Sequence, residues 1–214
     1  MNKILQLSNV SFAYDKDWIL EQVNIEIHVG EFVAVIGENG VGKSTLLNLM
    51  IGNLVPQSGS ISLFEKKSID NKSYDKIAYI SQGSVSNYKN FPTTVQEVIK
   101  IHARYLKKDK EVSSYLELVN LQNQRNKVLS ELSGGQLQRV AILLALIKEA
   151  ELIILDEPTT GVDQKFSHEL YEILKGLCAK GKTVLMVTHQ FSDVQQYVNR
   201  LLKIQNKEVV EVSL

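Results

Sequence analysis

A glycine-rich stretch at residues 37–45, GENGVGKST, matches the phosphate-binding pattern G-x-x-x-x-G-K-[ST]. Its glycines let backbone N–H groups turn toward phosphate oxygens, close to the positive end of the helix that follows. Lys43 supplies a positive charge for the β- and γ-phosphates, and Ser44 offers a hydroxyl to Mg²⁺. A plain glycine turn between a strand and a helix is the alternative, and Lys-Ser-Thr directly after the last glycine argues against it. The predicted nucleotide-binding residues here are Gly37, Glu38, Asn39, Gly40, Val41, Gly42, Lys43, Ser44 and Thr45.

Two acids, Asp156 and Glu157, directly follow the apolar run at 152–155. One carboxylate suffices to hold the water shell of a metal ion, which leaves the second free to orient and activate a hydrolytic water. Two acids at the end of a surface strand are common, and this is the alternative. A buried parallel strand, however, has its carboxyl end at the same sheet edge as the phosphate loop. The pair therefore predicts metal-assisted hydrolysis.

Gln82 and His189 each follow a predicted parallel strand, at the side where α/β sheets bind ligands. Taken singly, each is more often a surface loop residue than a ligand. Together with the phosphate loop and the two acids, each could reach the γ-phosphate or the attacking water.

A second glycine-rich stretch, LSGGQLQR at 132–139, opens a strongly apolar helix. Glycine lowers helix stability, so two adjacent glycines at this start need a reason. The Ser133 hydroxyl and the N–H groups of Gly134 and Gly135 form a set of phosphate ligands that lacks a lysine of its own. From these residues alone, a second ATP bound by the same chain stays an open alternative.

The elements that must position these groups alternate along the chain. Residues 2–35 read as strands, and the apolar runs at 32–36, 152–155 and 183–188 are typical of parallel strands that are covered on both faces. Between them, residues 94–106 and 112–119 have a helical period, and a helix is predicted from the second glycine stretch to about residue 150. Further helices are predicted at 164–179 and about 191–198. We therefore predict one domain over 1–214, with an α/β core (1–88 and 151–214) and an inserted helical lobe (89–150).

Composition excludes several classes of protein. Lys plus Arg is 24 and Asp plus Glu is 24, so no net charge favours nucleic acid as a partner. The lone Cys178 cannot form an internal disulfide, and the four histidines show no metal-ligand spacing. The longest apolar stretch, Val140 to Ile147, is too short to span a bilayer. We therefore expect a chain on the cytoplasmic side of the membrane that acts there only by docking on other proteins.

Phosphate loop, glutamine, LSGGQ, LIILDEPTTGVD and histidine follow one another in an order that resembles the ATP-binding subunit of ABC transporters. The likeness covers essentially the whole chain, and LSGGQ, the signature of that family, is its most specific element. The resemblance implies a P-loop NTPase (RecA-like) core, an N-terminal antiparallel β subdomain and an inserted helical subdomain. It also implies that two copies pair head to tail as a homodimer, so that Ser133, Gly134, Gly135 and Gln136 of one copy bind the ATP held by the other.

The same resemblance implies individual roles. Tyr14 would stack on adenine, and Gln82 would contact the metal and the water. Asp156 would join Ser44 at Mg²⁺, and Glu157 would be the general base. Asp163 would lie at the dimer interface, and His189 would contact the γ-phosphate. One departure is that family members often follow the histidine with an acid, where this chain has Gln190.

For the cargo, the segment NFPTTVQEV at 90–98 is similar to one in ATPases of zinc and manganese uptake transporters. This likeness implies import of a divalent metal, with integral-membrane permease subunits and a separate substrate-binding protein as partners. An exporter of peptides, drugs or lipoproteins is the first alternative. A non-transport ATPase of the same class is the second.

Overall fold

The computed structural model describes residues 2–64, 66–67, 73–81, 87–107, 112–160 and 162–214. Its strands are β1 (Lys3–Tyr14), β2 (Asp17–His28), β3 (Phe32–Ile36), β4 (Ser58–Leu63), β5 (Lys66–Lys67), β6 (Ile77–Ile80), β7 (Leu152–Asp156), β8 (Thr183–Thr188), β9 (Arg200–Gln205) and β10 (Glu208–Val212). Its α-helices are α1 (Lys43–Met50), α2 (Val95–Tyr105), α3 (Val112–Leu118), α4 (Gly134–Ile147), α5 (Gln164–Ala179) and α6 (Phe191–Val194).

A six-stranded sheet in the order β10-β9-β3-β8-β7-β6 forms the core. Its strands are parallel except for β10, which pairs antiparallel with β9. Every residue of β3, β7 and β8 is buried, which explains why these strands are continuous apolar runs. Because they are parallel neighbours, the loops that leave their carboxyl ends meet at one edge of the sheet.

A second sheet, antiparallel and in the order β2-β1-β4-β5, packs beside the core. The inner faces of β1 and β2 share an apolar cluster with α1 and with one face of the six-stranded sheet. The hairpin between β1 and β2 pairs Tyr14 with Asp17, and Ile19 of β2 packs against Gly42 of the phosphate loop. This packing brings the end of β1 to the same edge as the phosphate loop.

The helices α2, α3 and α4 share a second apolar cluster with α5 and the other face of the core sheet. The helix α4 is buried around most of its circumference, which fits its apolar sequence. Its N-terminal end carries LSGGQ. The predicted fold class is confirmed, while the division into a core and a lobe at residues 89–150 stays a prediction.

Two helix ends differ from the sequence prediction. The helix α4 ends at Ile147 rather than near 150, and α6 covers four residues rather than 191–198. The second difference has a clear cause. Asn199 exchanges hydrogen bonds with Phe32, donating its N–H to the Phe32 oxygen (2.8 Å) and accepting the Phe32 N–H on its side chain (2.7 Å). These bonds draw the chain into β9 instead of a longer helix.

Candidate active site

A cleft of about 460 Å³ lies at the carboxyl edge of the core sheet. Loops after β3, β7 and β8 and the hairpin of the antiparallel sheet contribute to it. Its lining residues are Tyr14, Ile19, Asn39, Gly40, Gly42, Lys43, Ser44, Thr45, Asp156, Glu157, Thr160 and His189. Most of the predicted site residues therefore meet in one place.

The phosphate loop adopts a backbone that requires glycine at Gly40 and Gly42. Their φ angles are 80° and 108°, in the left-handed region that other L-residues rarely adopt. A Cβ on Gly42 would also lie only 2.7 Å from the side chain of Ile19. Gly42 directly precedes α1 and acts as its N-cap, so the loop ends where the helix presents its free N–H groups.

The Lys43 ammonium is buried and lies inside the curve of this loop. Its Nζ donates to the backbone oxygens of Gly37 (2.9 Å) and Glu38 (3.0 Å). It also lies 3.6 Å from Oε1 of Glu157. The ammonium group therefore lies next to the position that a phosphate bound by the loop would take.

Ser44 and Asp156 form a set of oxygen donors that suits Mg²⁺. The Ser44 hydroxyl donates to Oδ2 of Asp156 (3.2 Å), and so does the hydroxyl of Tyr79 on β6 (3.4 Å). Burial raises the pKa of Asp156, and the nearby charge of Glu157 adds to this, while the Ser44 and Tyr79 hydrogen bonds and the Lys43 charge oppose it. Burial, together with Asp156, raises the pKa of Tyr79 to about 12. A bound cation would favour the charged carboxylate that burial disfavours.

Glu157 stands at a sharp turn after β7. Its φ is 51°, and its N–H donates to the backbone oxygen of Val187 on β8 (3.0 Å). Its Oε2 lies 2.7 Å from Nδ1 of His189 and accepts the Thr160 hydroxyl (3.3 Å). The carboxylate is thus fixed between the loops that follow β7 and β8, with Lys43 on its other oxygen. A carboxylate held in this way beside the phosphate loop is a group that can accept a proton.

Tyr14 also lines the cleft and is 51% exposed. Its ring contacts Phe12 edge-on, with centroids 5.0 Å apart. One face of a large aromatic ring is therefore accessible beside Ile19, as stacking on a base requires.

The signature, LSGGQ at residues 132–136, lies outside this cleft. The Ser133 hydroxyl accepts the Gln136 N–H (3.2 Å) and the Gln136 side chain accepts the Ser133 N–H (3.1 Å), so the two form a capping box at the start of α4. Ser133 and Gly134 are exposed, and Gly134 has open space around its Cα. Gly135 is buried, and a Cβ at this position would lie 2.7 Å from the ring of Phe166 on α5. The two glycines thus serve different needs.

Two other predicted site residues lie away from the cleft or outside the described residues. Asp163 is the N-cap of α5 and accepts the Phe166 N–H (2.9 Å), and it is exposed. Gln82 lies outside the residues that the structure describes. Sequence reasoning missed Tyr79 and Thr160. The sequence signal for Tyr79 was its hydroxyl group, since the other residues of the run IAYI are apolar.

The histidines do not gather into a metal centre in the part of the chain that the structure describes. His168 Nδ1 instead contacts the hydroxyl of Tyr197 (2.7 Å), and His102 is half-buried, where burial lowers its pKa. Among the described residues, none of the helices is both long enough and apolar enough to cross a membrane.

Comparison with known proteins agrees with this geometry. A family model described as ABC transporter matches residues 20–160. The zinc uptake system ATP-binding protein ZurA of Listeria innocua is 42% identical over 98% of this chain and 85% of that protein. The zinc transport system ATP-binding protein AdcC of Streptococcus pneumoniae is 35% identical over 92% of this chain and 88% of that protein.

Solved structures give the same result for the fold. The protein cbiO1 of Clostridium perfringens, part of the ABC transporter complex cbiONQ, superposes with a TM-score of 0.86 at 27% identity, over 98% of this chain and 88% of that one. The ATP-binding cassette MJ0796, in a dimeric structure bound to ADP and Pi, superposes with a TM-score of 0.77 at 29% identity, over 98% of both chains. A family model over most of the chain, relatives along nearly its full length and one cleft that gathers the phosphate loop, two acids and a histidine lead to one conclusion: the chain belongs to the ABC transporter family, as an ATP-binding domain that hydrolyses ATP.

Proposed function

We propose that this chain is the ATPase subunit of a zinc importer, and that two copies pair head to tail around two ATP molecules. The observation that carries the ATPase half of the proposal is the single cleft that holds Lys43, Asp156, Glu157 and His189, while the signature lies outside it. The family resemblance implies a second set of phosphate ligands in the signature, and because the signature lies outside this cleft, a second copy of the chain would supply it.

In this scheme the loop amides and Lys43 hold the triphosphate, and Tyr14 stacks on the base. Ser44, Asp156 and Gln82 are the residues that would hold Mg²⁺, which supplies charge neutralisation of the phosphates when bound. Glu157 accepts a proton from the attacking water, and His189 keeps that carboxylate and the water in line with the γ-phosphate. The exposed Ser133 hydroxyl and the Gly134 N–H of the second copy contact the γ-phosphate from the far side. Asp163 lies at the interface between the copies.

ATP then acts as a contact between the two subunits, and its hydrolysis weakens that contact. A ligand that binds the closed dimer better than the open one shifts the population toward closure, by no more than its difference in affinity. Permease subunits attached to the two copies would move with them. The chain would therefore work at the cytoplasmic face of the membrane, with an integral-membrane permease and a separate substrate-binding protein as partners.

We place the permease contact on the segment 83–100 and the adjoining face of α2. Residues 83–86 lie outside the described residues. The support comes from a groove beside Pro92 and Glu97, on whose rim Ile101 and Tyr105 are 65% and 82% exposed. Large side chains that are exposed to water beside one groove favour a contact with another protein. The helix α2 packs on α4, whose first turn belongs to the signature, so the proposed contact lies on a helix that packs directly against the one carrying the signature.

Zinc as cargo is supported by the relatives, since ZurA and AdcC are named as zinc-transport ATP-binding proteins and both are similar to nearly the whole chain. Deleting the gene should slow growth in medium depleted of zinc by a chelator, and added Zn²⁺ should restore it. A copy carrying Lys43→Ala should fail to restore growth, because the variant cannot hold the triphosphate. Normal growth of the deletion strain in depleted medium, with loss of an exported peptide or lipoprotein instead, would favour the exporter alternative.

A further inference from the structure

A chain of hydrogen bonds links α5 to the two loops that carry Glu157 and His189. The Thr159 hydroxyl donates to Oε1 of Gln190 (3.1 Å). The same hydroxyl lies 3.3 Å from the hydroxyl of Tyr171 on α5. Thr159 and Tyr171 are almost completely buried, with exposed fractions of 2% and 0%. The contact between the two hydroxyls is therefore shielded from competition with water, and the bond to Gln190 is partly shielded.

The direction of each bond follows from the groups involved. An amide oxygen can only accept, so the single proton of the Thr159 hydroxyl is committed to Gln190. Tyr171 must then donate to Thr159. The Gln190 N–H in turn donates to the hydroxyl of Thr188 at the end of β8 (3.1 Å), which anchors the loop at a second point.

The hydrogen-bonded residues lie next to Glu157 and His189 in the sequence. Thr159 comes two residues after Glu157, whose φ of 51° marks a turn that is not favoured by itself. Gln190 directly follows His189, whose side chain is 45% exposed and reaches Glu157 Oε2 at 2.7 Å. A half-exposed histidine depends on its backbone for its position. That backbone is held by the Gln190 side chain.

We propose that Thr159, Gln190 and Tyr171 are positioning residues for hydrolysis, which fix the loop of Glu157 against the loop of His189. The inference rests on the roles proposed above for Glu157 and His189. None of these three residues is among the described residues that line the nucleotide cleft. Breaking this series of hydrogen bonds should therefore slow the chemical step and leave ATP binding intact.

Three substitutions separate the loss of the hydrogen bond from changes in the size and charge of the side chains. A carboxylate would still accept the Thr159 proton, so Gln190→Glu keeps the link and adds a charge. Gln190→Met has a similar length and removes the oxygen acceptor. Thr159→Val has the same shape and removes the hydroxyl.

The test is steady-state ATP hydrolysis by the purified full-length chain, with the ATP dissociation constant measured separately. Thr159→Val and Gln190→Met should each lower kcat about tenfold, because small misplacements of catalytic groups are costly. Their KM and dissociation constant should stay within about twofold of the parent. The double variant should be no slower than the worse single variant, since both break the same link. Gln190→Glu should stay within about threefold of the parent kcat, because the acceptor is retained.

Thr183→Val is the matched control. Thr183 is also fully buried and accepts a hydrogen bond, from the Gly30 N–H (3.1 Å), but it lies at the opposite end of β8. It should lower thermal stability as Thr159→Val does while keeping the parent kcat.

The inference is overturned if Thr159→Val keeps the parent kcat, if it raises KM in proportion, or if Thr183→Val loses kcat equally. Glu157→Gln is measured in parallel: if it still hydrolyses ATP, the proposed role of Glu157, on which this inference rests, is wrong, and if it is inactive while Thr159→Val keeps the parent kcat, only this inference is wrong.

Discussion

Replacing Gly135 by alanine tests whether the ring of Phe166 on α5 is the reason for glycine at this position of the signature. An alanine Cβ at this position would lie 2.7 Å from Cδ2, 2.8 Å from Cε2 and 3.0 Å from Cγ of Phe166. The Phe166 ring cannot retreat freely, because the guanidinium of Arg139 lies 5.1 Å from its centroid. Arg139 is itself buried and pairs with Glu169 on α5. Either the ring or the start of α4 must move.

The neighbouring glycine allows the cost of this contact to be isolated. Gly134→Ala meets nothing within 4 Å, and both glycines lie in the first turn of the same helix. Alanine is favoured over glycine in a helix by up to about 1 kcal/mol, and this gain is shared by both variants. The difference between them therefore reports the clash. Overpacking of this kind costs about 1–3 kcal/mol, so Gly135→Ala should be less stable than Gly134→Ala by that amount.

The assay is urea unfolding of both variants without nucleotide. Pairing Gly135→Ala with Phe166→Leu should recover part of the loss, because the smaller side chain leaves room for the Cβ. Equal stability of the two single variants would show that Phe166 is not the reason why residue 135 is glycine.

Glu157→Gln should bind ATP, lose hydrolysis by about 100-fold or more, and accumulate as dimers on gel filtration with ATP, since the general base is gone while the phosphate ligands remain; a variant that stays monomeric would count against the scheme. Burial raises the pKa of Asp156, so the folded state carries a disfavoured carboxylate above that pKa, and Asp156→Asn should increase the free energy of unfolding at neutral pH without nucleotide. That gain should shrink as the pH falls through the folded pKa toward the usual value for aspartate, and urea unfolding across pH values measures it. Burial raises the pKa of Cys178 to about 12, so iodoacetamide at pH 8 should leave it unmodified in the folded chain and alkylate it in urea, as mass spectrometry will show.

The positions of the chemical groups along the sheet edge could be predicted because buried parallel strands have a clear signal. The apolar runs of β3, β7 and β8 are enough to predict that the phosphate loop, the two acids and His189 lie at one edge of the sheet. Gly40 and Gly42 followed in the same way from the phosphate-loop pattern, and their positive φ angles agree with it.

Contacts between side chains that are distant in sequence could not be predicted. Whether Gly135 needs to be glycine depends on the position of Phe166, 31 residues later, and this is a matter of packing between two helices. The link from Thr159 to Gln190 depends on the side-chain conformations of both residues. Periodicity and motif spacing carry no information on either.

If the signature of one copy completes the site of the other, mixing two inactive variants should restore ATP hydrolysis. Lys43→Ala removes the phosphate-binding cation but keeps the signature, and Ser133→Arg blocks the signature but keeps the phosphate loop. In a head-to-tail dimer of one chain of each kind, one of the two sites contains an intact loop and an intact signature. Equimolar mixing should therefore restore up to about a quarter of the parent hydrolysis rate, since half of the dimers are mixed and each has one working site. A mixture no more active than either variant alone would show that the signature of one copy does not complete the site of the other.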